Sequence, residues 1–442
     1  MTQTDFEETT AARGTDDLRD IVQSAHPADA ATALDDLEPR EIRDLLAELD
    51  LSRRAVVFGY LRPELQVALA RLFERRQLAE LITEMDADDR ADVFNKLGPD
   101  QQSALLPGLA HAERENIRRL AAHAEGTAGA IMTSDYATLA PGLSAQAAID
   151  VLRREAPDKE TIYRAYVLND ARRLIGAVRL HDLILAPADT PVEELMDRDP
   201  VIADLNDDQE EVARKIARYD ILAVPVTDEG GRLVGIVTHD DALDALQEEA
   251  TEDFHKLGTV ERLPGSVRDA SVKTLYQKRV FWLALLVFGN LFSGAGIAYF
   301  EDTISAYVAL VFFLPLLIGS SGNAGAQAAT LMVRALATGD VRMRDWGRLL
   351  GREVVVALAL GATMALAVSL IGIFRGGPEV ALVVACTMVL VVILGSLIGM
   401  SLPFLLHRFK LDPATASAPL VTTIADAVGV VIYFTIATAF LF

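Results

Sequence analysis

The segment PLVTTIADAVGVVIYFTIATAFLF, 419–442, is long and apolar enough to cross a bilayer, yet it carries Asp426 with no basic residue nearby. An ionised side chain at the centre of a membrane helix costs about 2.5–3.5 kcal/mol on insertion scales. A carboxylate kept at that cost suits the binding of a cation along a polar path. A second apolar stretch, FFLPLLIGSSGNAGAQAATLMVRALATGD, places Asn323 four residues before Gln327, so the two amides share a helix face. Gly319, Gly322 and Gly325 let backbones approach closely, and Pro315 weakens the helix. Small residues alone would mean ordinary helix packing. The added amides and the lone carboxylate favour a pore. A third group lies in THDDALDALQEEATEDFHKLG, where Asp241, Asp244, Glu248 and Glu252 follow at spacings of three, four and four. On a helix they form one acidic stripe, with Leu243, Leu246, Phe254 and Leu257 supplying apolar surface elsewhere. Like charges four apart repel, so cations would stabilise such a helix.

The elements that must position these residues divide sharply by composition. The chain has 442 residues, room for two or three domains, and combines a mean hydropathy of +0.26 with a net charge of −22. From Ser271 onward there are 11 basic and 8 acidic residues, whereas the first 270 residues hold 30 and 55. An acidic, helix-rich soluble half therefore precedes a nearly neutral membrane half. So acidic a surface argues against nucleic acid as a partner and favours cations. Seven lysines against 34 arginines fit a high-salt or GC-rich source. That bias accounts for some acidity but not for where the acids cluster. The single cysteine, Cys386, excludes a disulfide framework and a cysteine-based zinc site. The opening MTQTDFEETTAARGTDD is polar and acidic, unlike a signal peptide, so the soluble half is expected in the cytoplasm.

Five hydrophobic runs are expected to span the membrane, near 280–300, 304–336, 349–374, 380–406 and 416–442. Lys273, Lys278 and Arg279 precede the first. Arg342, Arg344, Arg348 and Arg352 lie between the second and third, and Arg408 and Lys410 between the fourth and fifth. The other connections carry only Arg375. Basic residues stay on the cytoplasmic side, which places the N-terminus inside and the C-terminus outside.

Within the soluble half, LEPRE, LRPEL and LGPDQ each put a proline (Pro39, Pro63, Pro99) at a first helical turn, where the missing N–H is harmless. A loosely repeated stack of helices is expected over 1–126. A clearer duplication follows. AGAIMTSDYATLAPGLSAQAAIDVLRR parallels VEELMDRDPVIADLNDDQEEVARKIAR, with Met132 and Met196 in step, and YVLNDARRLIGAVRLHDLI parallels VPVTDEGGRLVGIVTHDDAL. This pattern resembles a pair of cystathionine-β-synthase (CBS) domains over 127–246. That resemblance implies that GIVTHDD offers Thr238 and Asp241 to a nucleotide ribose or phosphate. The first copy has Arg179 where the second has Thr238, so at most one such site is intact. A dimerising module without nucleotide is the alternative.

The order of helical N-terminal superhelical domain, α/β CBS pair, connecting (plug) helix region at 247–272 and five-helix all-α transmembrane domain at 273–442 resembles the MgtE family of magnesium channels or transporters. FLPLLIGSSGNAGAQAATLMVRALATGD, LDPATASAPLVTTIADAVGVVIYFTIA and EEATEDFHKLGTVE carry the resemblance. It implies a homodimer in the lipid bilayer with the pore on its two-fold axis. The family's pore aspartate falls on Asp426 and its second-span amide on Asn323. Its cytoplasmic Mg²⁺ sensors fall on Asp88 and Asp92 in MDADDRADVF, on Asp208 and Glu210 in DDQEE, and on Asp220 in RYDIL. Further sensors fall on Asp241, Asp244, Glu249, Glu252 and Asp253, and on Asp412 in LDPA. Ala418 and His181 depart from the pattern of some relatives, which weakens a contact at the cytoplasmic pore mouth and the nucleotide assignment respectively.

Mg²⁺ prefers octahedral oxygen and sheds water reluctantly. With few carboxylates in the membrane half, the expected design binds the hydrated ion through Asp426 from each subunit. Inward movement of a divalent ion gains about 4.6 kcal/mol per 100 mV, twice the single-charge value. Neither GxxxxGK[ST] nor HExxH occurs, and no enzyme activity is expected. High cytosolic Mg²⁺ would bridge the soluble carboxylates and hold a compact, closed state; at low Mg²⁺ they would repel. The alternatives are transport of other divalent ions such as Co²⁺ or Mn²⁺, or a non-conducting, membrane-tethered nucleotide sensor. A CBS-linked chloride channel does not fit five spans.

Overall fold

The structure, a computed structural model, describes residues 15–261, 263, 267 and 270–442. The acidic opening at 1–14 and the Pro264–Gly265 pair of the connecting region lie outside the described residues. The chain forms two compact units, Met1–Glu249 and Ala250–Phe442.

Among the described residues the first unit begins with nine α-helices, from α1 (Thr15–Ser24) to α9 (His111–Leu120). They are short because each soon meets a proline, a cap or an acidic turn. Pro39, Pro63 and Pro99 each open a helix at its first position, as their spacing predicts. Their apolar faces meet in one core around Leu34, Ile42, Phe58, Leu69 and Ile82. The seventh, α7 (Ala87–Lys96), has acids in its first turn, where the helix dipole favours them. Its inner face, Ala87 and Ala91, packs instead with Val212, Val224 and Val237 of the region that follows.

That region holds two three-stranded sheets with the same plan. In the first, β1 (Tyr136–Leu139) runs parallel to β2 (Thr161–Leu168), which pairs antiparallel with β3 (Leu174–Arg179). In the second, β4 (Ala203–Asp204), β5 (Ala223–Thr227) and β6 (Leu233–Thr238) repeat the order. Helices α10 (Ala145–Glu155), α11 (Leu180–Leu185), α12 (Val192–Leu195) and α13 (Gln209–Tyr219) complete the copies. The copies exchange their leading segments. Thr133 N donates to Ile236 O (2.8 Å) and Ile236 N to Thr133 O (3.0 Å), while Ala177 and Asp197 exchange the equivalent bonds. Met132 thereby covers Gly235 and Met196 covers Gly176. A Cβ on either glycine would lie 2.5 or 2.7 Å from the methionine sulfur, so only glycine fits. Helix α14 (His239–Leu257) leaves β6 and runs without interruption, because no glycine or proline intervenes before Gly258. The CBS boundary expected at 246 therefore falls inside a helix.

The second unit is helical. It contains α15 (Val272–Tyr299), α16 (Glu301–Ala306), α17 (Ala309–Ala337), α18 (Trp346–Arg408) and α19 (Ala418–Leu441). Four of these are long and apolar enough to cross a membrane. The longest, α18, is two helical arms. Gly377 has φ 82° and ψ 178°, which only glycine adopts without strain, and breaks it into arms 346–376 and 378–408. Each 31-residue arm is about 46 Å long at 1.5 Å per residue, ample for a bilayer. The first of the long helices begins eight residues before the apolar run, where Ser271 caps α15 by accepting from Thr274 N (3.1 Å).

Candidate ion path and cation-sensing cluster

The membrane unit is built on glycine contacts. Gly325 and Gly395 pack backbone to backbone, Ser321 Oγ donates to Val391 O (2.7 Å), and a Cβ on Gly399 would run into the Gly325 carbonyl. Helix α17 and the second arm of α18 thus lie parallel in close contact. On its next face α17 meets α19. A Cβ on Gly325 would lie 2.8 Å from Val421, and one on Gly322 would lie 3.0 Å from Thr422; Gly429 faces Ile318. These pairs fix an antiparallel register that puts Asp426 level with Gly319 and Ser320. Asn323 lies about one turn, roughly 5 Å, from that level. Asn323, Gln327 and Gly319 are all exposed on the side of α17 turned away from these contacts, and a Cβ on Gly319 would meet open space. Asp426 is half-buried and has neither ion pair nor side-chain hydrogen bond among the described residues. A carboxylate and two amides therefore occupy faces that the chain itself leaves open.

The soluble unit gathers a second acidic group. Helix α7 supplies Asp86, Asp88, Asp89 and Asp92, the connection into β2 supplies Glu160, and the start of α14 supplies Asp240 and Asp241. Their electrostatics is mutual. Burial, then Asp241, Asp89 and Glu160, push the Asp88 carboxyl well up. Burial with Asp86, Asp241, Asp240 and Asp89 lifts Glu160 to about 7. Asp89 and Asp241 each rise to about 6, burial being the leading cause. Asp86, Asp92 and Asp244 are also raised, again mainly by burial. Asp88 Oδ1 and Glu160 Oε2 are buried without a hydrogen-bond partner. The nearest balancing cations are Lys96, 3.6 Å from Asp92, and Arg90, 3.6 Å from Asp135. Two orphaned acceptors among crowded carboxylates suit a hydrated divalent cation, whose water shell donates hydrogen bonds. Among the described residues no three His, Cys, Asp or Glu side chains are arranged to hold a metal ion directly.

The other residues named from the sequence are dispersed. Asp208 caps α13, accepting from Glu210 N (2.9 Å), and Glu210 pairs with Arg214 at 2.5 Å. Asp220 closes the same helix in the left-handed conformation at φ 52°. Asp208 and Asp220 stand about 18 Å apart along the helix, too far to share one ion. Glu249 accepts from Gln209 Nε2 (2.8 Å). In the second unit Lys256 Nζ bridges Glu252 (2.6 Å) and Asp412. Burial pulls the ammonium pKa down, but these two carboxylates outweigh it and raise it. Asp253 is half-buried on the same helix. At the candidate nucleotide position Thr238 Oγ1 donates to Asp241 Oδ2 (2.5 Å), whereas Arg179 of the first copy forms a two-pronged pair with Asp182 (2.7 and 2.9 Å).

Sequence reasoning missed Glu160, Asp86, Asp89, Asp240 and Lys256. The i,i+4 spacing of Glu252 and Lys256 was a usable signal. Glu160 had none, since only the fold brings it to α7.

These features define a multi-pass membrane protein whose last helix carries a half-buried, unpartnered carboxylate. Comparison agrees. Residues 314–436 match the MgtE profile described as a divalent cation transporter, 25–126 match the MgtE intracellular N domain, and 128–189 and 192–248 match CBS domains. The magnesium transporter MgtE of Thermus thermophilus is 39% identical over 95% of this chain and 94% of its own length. That of Bacillus subtilis is 33% identical over 96% and 94%. The chain belongs to the MgtE family of magnesium transporters. A solved cytosolic domain of the Mg²⁺ channel MgtE in complex with ATP is 36% identical, with a TM-score of 0.50, over 54% of this chain and 98% of its own. The soluble part of a magnesium transporter is 30% identical, with a TM-score of 0.50, over 56% and 97%.

Proposed function

We propose that the chain acts as a homodimer that conducts Mg²⁺ into the cell down its electrochemical gradient and is closed by cytosolic Mg²⁺. The unpartnered Asp426 carries this reading. It sits on a helix face open to a second copy, level with the exposed glycine of α17. Two such carboxylates across a two-fold axis supply about −2 charge, enough to balance one hydrated Mg²⁺. Asn323, one turn away, would accept from the same water shell. The basic residues beside spans two, three, four and five favour the N-terminus inside and the C-terminus outside.

Closure rests on Asp88, Asp92, Asp241 and Asp244, joined by Glu160, in the soluble unit. At low Mg²⁺ their repulsion opposes the packing of α7. Bound Mg²⁺ favours that packing and, by linkage, the state that contains it. Asp208, Glu210 and Asp220 mark separate sensing positions, as does Glu249 beside Gln209, and Glu252, Asp253 and Asp412 are further ones in the second unit. Because a solved relative holds ATP, the CBS pair is assigned an adenine nucleotide, with Thr238 and Asp241 of the second copy as contacts.

Purified protein in liposomes tests this directly. Wild type should pass Mg²⁺ at low internal Mg²⁺ and fall at least tenfold at high internal Mg²⁺, with Asp426→Ala inactive under both conditions. Wild-type flux in Asp426→Ala would remove the pore assignment. No flux in the wild type would favour the nucleotide-sensor reading. Competition by Co²⁺ and Mn²⁺ in the same assay ranks the ions.

A further inference from the structure

The membrane unit contains a groove of about 490 Å³ that the ion path does not use. Its floor is one stripe of the second arm of α18: Ile398, Ser401, Leu402, Leu405 and Arg408, at helical spacings of three or four. Trp346, from the start of the first arm, and Ile424, from α19, form the sides. From Ile398 to Arg408 the groove runs about 15 Å along the helix. It is apolar along that length and basic at one end. Leu405 is 50% exposed and Trp346 41% exposed. Arg408 is exposed and has no ion pair among the described residues. Arg342, Arg344 and Arg348, which flank Trp346, are likewise exposed. The nearby Asp345 carboxylate already accepts from Arg342 N (3.0 Å).

We propose that this groove binds one anionic phospholipid per chain, its phosphate on Arg408 and one acyl chain along Ile398–Leu405. Four observations fix the occupant. The groove opens within membrane-spanning helices, where a lipid chain is the available apolar ligand. Its one charged end is cationic, and basic pockets between membrane helices select anionic headgroups. A tryptophan stands at that same end, where interfacial indoles sit at headgroup level. The depth from Arg408 to Ile398 matches half of a hydrocarbon core of about 30 Å.

Native mass spectrometry of the full chain in mild detergent tests the assignment, with dioleoylphosphatidylglycerol and dioleoylphosphatidylcholine as probes. One phosphatidylglycerol per chain should be retained, at least fivefold above phosphatidylcholine. Arg408→Gln, which removes the charge, and Leu405→Trp, which fills the groove, should each lower retention at least fivefold. Arg375→Gln, whose guanidinium lies 4.9 Å over the Phe312 ring, should not. Equal retention of the two lipids, or wild-type retention in Arg408→Gln, overturns the proposal. So does Leu405→Trp splitting an oligomer with lipid retention unchanged, which would assign the groove to a second copy. Arg408→Gln keeps the test decisive if Leu405→Trp fails to fold.

Discussion

Gly322 of α17 and Thr422 of α19 touch so closely that a Cβ on the glycine would lie 3.0 Å from the threonine methyl. Thr422 lies one turn before Asp426. The contact therefore sets the depth at which the carboxylate meets α17, and the glycines act as spacers for the proposed ion path.

The spacers should be separable by mutation. Gly399→Ala drives a methyl into the Gly325 carbonyl and should cost about 1–3 kcal/mol or more, as overpacking does. Gly319→Ala enters open space and should be nearly neutral for folding. Thermal melts of the two purified proteins in one detergent check this; equal melting temperatures would contradict the packing described.

Asp426→Asn keeps the shape of the side chain and removes its charge. If charge rather than size holds the hydrated ion, Mg²⁺ flux should drop at least tenfold while the melting temperature stays near wild type. Flux within twofold of wild type would locate selectivity elsewhere on the path.

The soluble cluster predicts an inverted pH response. Glu160 titrates at about 7 and Asp89 and Asp241 at about 6, all above their unfolded values. A raised carboxyl favours the folded state while protonated, and that stability is lost as pH rises through the folded pKa. In Mg²⁺-free buffer the soluble half should resist protease better at pH 5.5 than at pH 8. Saturating Mg²⁺ should narrow the gap. Greater resistance at pH 8 without Mg²⁺ would refute the repulsive cluster.

Lys256 supplies the end of α14 with a built-in cation. Lys256→Gln leaves Glu252 and Asp412 without their shared ammonium. Cleavage near the C-terminal end of α14 should then quicken several-fold without Mg²⁺, and added Mg²⁺ should restore protection at lower concentration than in wild type. A wild-type protection curve would show that the bridge has no such role.

Much of this organisation is legible in the sequence, for identifiable reasons. Bilayer thickness writes itself into apolar runs, so the long apolar helices, and a break in the longest of them between 374 and 380, are legible in the sequence. The start of α15 is not, because hydropathy registers the membrane and not the Ser271 cap. The shared face of Asn323 and Gln327 follows from helical period alone. The two CBS copies show as a repeat with Met132 and Met196 in step, yet the exchange that seats Met132 on Gly235 links residues far apart in sequence. Glu160 joins α7 only through that tertiary arrangement. Asp208 and Asp220 are both sensor positions in the resemblance, and the intact helix between them holds them apart.

The reversal at Gly377 joins two crossings through a single glycine. In the proposed topology, α15 and α17 are joined on the same side of the membrane chiefly by the six-residue α16. That face consequently offers a protease, an antibody or a phage almost no loop to grip. For so large a membrane protein it is close to a blank wall, and any molecule that blocks it from there must reach the ion path itself.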